Sequence, residues 1–304
     1  MSQSLPTVSI VTPSFNHGEY LTAAIRSVLE QEYPNLEYFV ADGASTDGTI
    51  DLLRQFNSEP RLKWVSEPDR GQADAINKGF ARTRGEILGW LNSDDTLVPG
   101  AIEKIGRYFA EHPDVGLVYG DAQFIDAAGN MIGPCRHIEP FNRHRLLNYS
   151  DFIVQPAAFF RRSVFEAVGG LDASLNWAMD YDLWLKLSAN AGVEYVPGLL
   201  ANYRWLGGSK TASGGAARLA EVERMARRHG AKGLPAFFRL EAVRINLADG
   251  VAAARRGRID QTLLCAGKAA RIVLSSPRAM GSLVSPAVWR VIWMGQVLRR
   301  RGGV

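Results

Sequence analysis

The feature that most constrains this 304-residue chain is an alternation, over its first 120 residues, of short β-rich runs and helix-period stretches. Residues 8–11 (VSIV) make a first strand ending in the turn-prone Pro13, Ser14, Phe15 and Asn16. Leu21, Ile25, Val28 and Leu29 then recur at helical spacing as far as Gln31, before Pro34. Residues 36–41 (LEYFVA) read as a second strand stopped by Asp42 and Gly43, and Asp47 is placed as the N-cap of a helix through Ile50 and Leu53. A third strand is expected over 63–66, a helix over 73–83, and a fourth strand over 86–91 running into Asn92, Ser93, Asp94 and Asp95. Pro99 is expected in the first turn of the next helix, where its missing N–H costs little, and 115–119 is a fifth strand.

Such β-α-β-α alternation implies an α/β fold with a doubly wound, mostly parallel sheet, whose ligands bind beyond the carboxyl ends of the strands. Four strand ends are polar: 12–16, 42–47, 67–70 and 92–95. Polar groups converging on one sheet edge define a ligand cleft. From Gly120 to about Tyr203 the pattern loosens into a hairpin turning over 126–130, a short helix over 162–168 closed by Gly169 and Gly170, and a helix over 180–191. After Gly215 the chain reads as helices without further strands. The expected organisation is an α/β domain over 1–215, regular to about residue 120 and looser after it, followed by a C-terminal helical extension over 216–304.

Charge separates these parts. From Ala216 onward 17 Lys and Arg face 5 Asp and Glu, a balance of +12, which leaves −8 for residues 1–215 of a chain whose net charge is +4. The acidic front half excludes nucleic acid as a partner, because phosphate backbones need clustered cations. Cys135 and Cys265 stand far apart without CxxC spacing, against a zinc site or disulfide framework and in keeping with a reducing compartment. Residues 1–7 show neither a basic nor an apolar leader region, so the expected location is the cytoplasm.

Asp94 and Asp95 are the centre of the chemistry. Two adjacent carboxylates at a strand end repel one another unless a cation or hydrogen bonds offset the charge. Oxygen ligands on a loop suit Mg²⁺ or Mn²⁺ held together with substrate phosphates, whereas an isolated pair of this kind is more often a turn cap and a solvated acid. Asp42 can accept hydrogen bonds from a base or ribose, and Gly43 allows close backbone approach. Arg70 can grip a diphosphate bidentately or pair with Asp69 or Glu67, and Asp74 and Asn77 share a helix face. Asp180 is either a first-turn acid favoured by the helix dipole or a general base.

In the order "VSIVTPSFN", "ADGASTDGT", "EPDRGQADAINKGF", "LNSDD" and "MDYDLWLKL", these segments resemble the family 2 glycosyltransferases of the inverting GT-A type, over about residues 8–205. The resemblance implies a Rossmann-like sheet, a nucleotide-sugar donor and a divalent cation, Mn²⁺ or Mg²⁺. It implies that Pro13, Ser14 and Asn16 line the nucleotide pocket, that Asp42 meets the base, usually uracil, and that Arg70, Asn77 and Asp94 bind the donor. Asp94 and Asp95 correspond to the DXD-type pair, with Asp95 the direct metal ligand, and Asp180 to the base. Met179 stands where the family often has Glu, Asn92 where many members have a further Asp, and Tyr203-Arg204-Trp205 only partly echoes the Gln-x-x-Arg-Trp of processive polymerases.

Gln155 and Trp177 fall where an acceptor would bind, and Arg204 and Lys210 lie in a Gly-rich stretch (YRWLGGSKT) suited to closing over a diphosphate. The acceptor implied by the family and the tail is a glycan or lipid-linked glycan of the cell surface. Two rivals are weaker. A sugar nucleotidyltransferase wants a Gly-rich, basic signature after the first strand, and TPSFNHGEY supplies one Gly and no Lys or Arg; a non-catalytic scaffold of the same fold has no need of intact acidic motifs. Residues 285–301 place Val288, Trp289, Ile292, Trp293 and Val297 on one helical face before three arginines, too short and too interrupted by Arg290 to span a bilayer but suited to the inner membrane face. A helix packed on the catalytic domain, or a homodimer contact, is the alternative use of that face. Truncation after Pro277 is expected to move the protein from the membrane pellet to the supernatant; a full-length chain already wholly in the supernatant would end the anchor idea.

Overall fold

The computed structural model describes residues 4–206, 210 and 214–274, so the tail at 285–301 and the loop at 207–209 lie outside the described residues. The chain divides into two compact units, Met1–Arg143 with Asp151–Trp205, and His144–Ser150 with the described residues from Leu206 onward.

The first unit is built on one mixed sheet of order β3-β2-β1-β4-β8-β6-β9-β5, with β7 paired to β6. Its first half follows the periodicity closely: β1 (Val8–Ser14), α1 (Gly18–Leu29), β2 (Leu36–Asp42), α2 (Thr49–Arg54), β3 (Leu62–Ser66), α3 (Gln72–Ala81) and β4 (Ile87–Trp90). Strands β1 to β4 are parallel, and β1 is buried along its whole length, as a central strand covered on both faces must be, with Ser9 and Thr12 bonded by their hydroxyls to Glu37 and Tyr38. Helix α3 lies so close to β1 that a Cβ on Gly79 would meet Val11 Cγ1 at 2.5 Å.

Strand order reverses at β1: the chain steps outward to β2 and β3, then returns to place β4 on the other side of β1. A crevice opens at such a switch point, and the loops after β1 and β4 border it.

The second half is mixed, and here the sequence pattern was least informative. Short β5 (Thr96–Leu97) and α4 (Ala101–Glu111) precede β6 (Val115–Ile125), which runs six residues beyond the expected strand and forms the foreseen hairpin with β7 (Met131–Pro134). Strand β8 (Ala158–Arg161) lies antiparallel between β4 and β6, and β9 (Gly192–Arg204) runs parallel to β6. Neither was foreseen: β8 is four residues long, and β9 carries Pro197 and Gly198 inside it. Two helix starts also differ from expectation. The N-cap of α2 is Gly48, with φ of 89°, and Asp47 accepts the Thr49 N–H (3.1 Å) from one position upstream while also holding the Gly18 N–H (3.0 Å). Helix α4 is capped by Gly100, so Pro99 lies before the first turn rather than in it.

Helices α6 (Arg162–Ala167) and α7 (Met179–Asn190) complete the unit. Trp184 of α7 stacks on Trp90 of β4, centroids 5.5 Å apart, with Phe160 edge-on to both, which fixes α7 against the strand that ends in the acidic loop.

The second unit contains α5 (Arg143–Asn148, all but its first residue), α8 (Gly215–Arg228), α9 (Ala236–Arg255) and α10 (Ile259–Leu274). An Arg218–Glu241 ion pair joins α8 to α9, with the Arg218 guanidinium over the Phe238 ring. No described helix is long and apolar enough to cross a membrane. Replacing Trp184 with Ala is expected to lower the unfolding free energy by about 3–5 kcal/mol through the lost stack and the cavity, measured by urea denaturation.

Candidate active site

Loop 92–95 leaves β4 at the switch point beside the end of β1. His17 Nδ1 meets Ser93 Oγ at 2.7 Å, and the Arg204 guanidinium lies over the Tyr20 ring at 5.0 Å, so the start of α1, the acidic loop and the end of β9 form one cluster. Asp95 is 1% exposed. Burial first, and then the Asp94 carboxylate, push its acid group well above the usual carboxylate range. Asp94 is half-buried and raised mainly by burial, an effect that His17 and Arg204 oppose.

Arg204, 6% exposed, is the arginine built into this cluster. Its backbone N–H donates to Asp95 Oδ1 (2.8 Å), its Nε to the Asp94 carbonyl (2.7 Å), and its Nη1 to the carbonyls of Asp126 (2.8 Å) and Ala127 (2.9 Å). A buried charge needs such a set of acceptors. Expected as part of a loop over a diphosphate, Arg204 instead ends a strand and staples the acidic loop to the β6–β7 hairpin. Lys210 belongs to the second unit and is exposed.

The end of β1 leaves Ser14 buried, with its Oγ lacking a hydrogen-bond partner among the described residues. Pro13 is buried beside it, and Asn16 takes the left-handed conformation at φ of 50°. The Asn16 side chain accepts the Thr46 N–H (2.7 Å), locking the β1 and β2 loops together. Asp42, at the end of β2, is buried and accepts from Ser45 N (2.9 Å), Ser45 Oγ (2.5 Å) and Ser66 Oγ (2.6 Å). A Cβ on Gly43 would fall 2.5 Å from an Asp69 carboxylate oxygen, so a side chain there would displace the Asp69 carboxylate.

Arg70 has a side chain 80% exposed, tethered by one bond to Asp74 (2.9 Å) rather than to Asp69 or Glu67. Arg70 and Lys78 together hold the Asp74 carboxyl well below its ordinary range. Asn77 spends both ends of its amide on Leu171, donating to its carbonyl (2.9 Å) and accepting its N–H (3.1 Å), so it links α3 to the segment leading into α7.

Asp180 occupies the first turn of α7 and accepts the Tyr181 N–H at 2.8 Å. Beside it lies Asp151, whose acid group burial and the Asp180 carboxylate push well above the carboxylate range. Four residues on, Gln155 donates to the Trp90 carbonyl (2.7 Å) and accepts from Asn92 (2.9 Å), inside the acidic loop. Four residues span at most about 14 Å, so Asp180 and the acidic pair belong to one neighbourhood. Trp177, half-buried, lies just before α7. His17, Ser93, Asp151 and the Asn92–Gln155 link escaped the sequence reading; Asp151 offered no signal because its partner lies 29 positions away.

This constellation sets an acidic pair at the strand-order switch of an α/β sheet. The family model described as Glycosyl transferase family 2 matches residues 9–169, more than half of the chain. The chain belongs to that family, and with it to the sugar-transferring enzymes. It is 32% identical over 216 residues, 69% of its length, to the O-antigen biosynthesis protein RfbC of Myxococcus xanthus, of which it covers 17%. It is 30% identical over 209 residues, 68% of its length, to the chondroitin synthase of Escherichia coli, of which it covers 30%. With the PGL/p-HBAD biosynthesis glycosyltransferase of Mycobacterium bovis it shares 30% identity over 208 residues, 67% of this chain and 78% of that one. The chain thus spans less than a third of the first two of these relatives. In fold it is similar to S. aureus TarS 1-349 in complex with UDP-GlcNAc, with a TM-score of 0.62, 16% identity, and 84% and 89% of the two chains covered. A second similar fold is the mannosyltransferase PcManGT from Pyrobaculum calidifontis in complex with GDP-Man and Mn2+, at a TM-score of 0.52, 18% identity, and 97% and 81% covered.

A carboxyl group whose folded pKa is raised contributes stability below its unfolded pKa, and loses it as pH rises through the folded value. Asp151 is such a group. The melting temperature of the wild type is therefore expected to fall from pH 4 toward neutrality more steeply than that of Asp151→Asn, with the variant the more stable at pH 7.

Proposed function

We propose that this chain transfers the glycosyl group of a nucleotide-sugar, a UDP-sugar by its resemblance, to an acceptor hydroxyl with inversion, assisted by a divalent cation at Asp94 and Asp95. The observation that carries the reading is Asp95: a carboxylate buried beside a second one, its acid pushed well up, at the switch point of the sheet. Buried negative charge that Arg204 only partly offsets fits Mn²⁺ or Mg²⁺. No cluster of three His, Cys, Asp or Glu ligands occurs among the described residues, so phosphate oxygens and water would complete the coordination. When bound, the cation would supply positive charge to the leaving diphosphate.

The chain's own residues have separable tasks. Pro13, Ser14 and Asn16 shape the nucleotide pocket, the buried Ser14 hydroxyl being free to bond a nucleotide oxygen. Asp42, held rigid by Ser45 and Ser66, presents its edge to the base. Arg70, exposed yet tethered, reaches the diphosphate, and Asn77 holds the α3 side of the site to the α7 side. Asp180 takes the acceptor proton as that oxygen attacks the anomeric carbon from the opposite face. Trp177 carries the acceptor proposal; both ends of the Gln155 amide are engaged within the protein.

The acceptor is proposed as a glycan or lipid-linked glycan of the cell surface, at the cytoplasmic face of the membrane, in line with relatives named for chondroitin synthesis and O-antigen biosynthesis.

Thermal stabilisation by UDP-, GDP- and dTDP-sugars with and without Mn²⁺ identifies the donor, and release of the nucleoside diphosphate measures transfer. Asp180→Asn is expected to lower kcat by about 10²–10⁴-fold while still binding donor, the range for loss of a general base. Asp95→Ala is expected to abolish metal-dependent transfer with the fold intact. Absence of both turnover and metal-dependent nucleotide binding in the wild type would return the scaffold reading.

A further inference from the structure

Asn92 stands two residues before the acidic pair, and the hydrogen bonds around it account for a neutral amide at that position. Their direction is set by the Trp90 carbonyl, which can only accept. Gln155, 7% exposed, must therefore turn its Nε2 toward that carbonyl (2.7 Å), which leaves its Oε1 facing Asn92. Asn92 must then present its Nδ2 to Gln155 (2.9 Å), and the same nitrogen donates to Asp95 Oδ2 (3.2 Å). Its remaining Oδ1 accepts from Gln72 Nε2 (2.8 Å), in the first turn of α3. Every polar atom of the Asn92 side chain is engaged, in one orientation only. With the Arg204 N–H on Asp95 Oδ1 (2.8 Å), each oxygen of Asp95 receives one protein donor.

We infer that Asn92 and Gln155 are positioning residues that hold Asp95 in the orientation that receives the metal–diphosphate group. The inference rests on the proposed metal role of Asp94 and Asp95. An acid at position 92 would face two acceptors, Gln155 Oε1 and Asp95 Oδ2, and rotation of the Gln155 amide to relieve it would set Oε1 against the Trp90 carbonyl. The relay also ties the acidic loop, through Gln72, to the helix that carries Asp74 and the Arg70 tether, so the two sides of the diphosphate site are set together. Outer partners of a metal-binding carboxylate typically change metal affinity by about 10–100-fold.

The test is Mn²⁺ binding by the full chain without donor, read from the free-ion electron paramagnetic resonance signal, beside thermal melts and turnover. Asn92→Asp is expected to weaken Mn²⁺ binding by about tenfold or more. Gln155→Met, which keeps volume and removes the amide, is expected to weaken it in the same direction, and excess Mn²⁺ should restore turnover in both. Asn92→Asp binding Mn²⁺ as tightly as the wild type, or more tightly, would overturn the inference and make position 92 a vacant ligand site. Wild-type affinity in Gln155→Met would overturn it too, and that variant decides the matter if Asn92→Asp does not fold. A wild type that binds no Mn²⁺ fails in a different way, by removing the metal role itself.

Discussion

A buried carboxylate at the end of a central strand is the constraint around which the first unit is arranged. Asp95 is costly where it stands, since removal from water and a neighbouring acid both oppose its ionisation. The fold meets that cost locally with a backbone N–H from the end of β9, the buried Arg204 guanidinium nearby, and the Asn92 amide. Strand β9, the hairpin after β6 and the start of α1 all converge here. Perturbed acids held by convergent elements in this way mark candidate functional sites.

The rest of the site follows from the parallel half of the sheet. Parallel strands deliver their carboxyl ends to one edge, and the reversal of order at β1 parts the loops after β1 and β4. Hydrogen bonds then fix the loop after β1 to its neighbours, through Asn16 to Thr46 and Gly18 to Asp47 after β2, and through His17 to Ser93 after β4. The Trp90–Trp184 stack does the same for the helix carrying Asp180. A preorganised arrangement of this kind favours transfer chemistry, because little has to reorient as charge develops on the leaving group.

Much of the first half was legible in the sequence because each element there declares itself within a few residues. Strand β1 opens on a β-rich run (VSIV), α1 repeats its buried residues at helical spacing, and the strand ends are polar. The places of Asp94, Asp95 and Asp180 at the ends of elements were legible for the same reason. Strands β8 and β9 were not. One is too short to show a period, and the other is interrupted by Pro197 and Gly198 and held by its pairing with β6.

The sequence by itself determined the α/β alternation, the helices that follow the first unit, and the acids at the ends of its elements. Those properties are local, written in periodicity and in turn-forming residues. Only the tertiary structure decided what surrounds each acid. Arg204 is 109 positions from Asp95, Gln155 is 63 from Asn92, and Asn77 is 94 from Leu171. Hydrogen-bond direction and burial depend on neighbours brought together by folding. That Arg204 joins the acidic loop to the β6–β7 hairpin, and that both ends of the Gln155 amide are bonded within the protein, rests on contacts that no stretch of sequence contains.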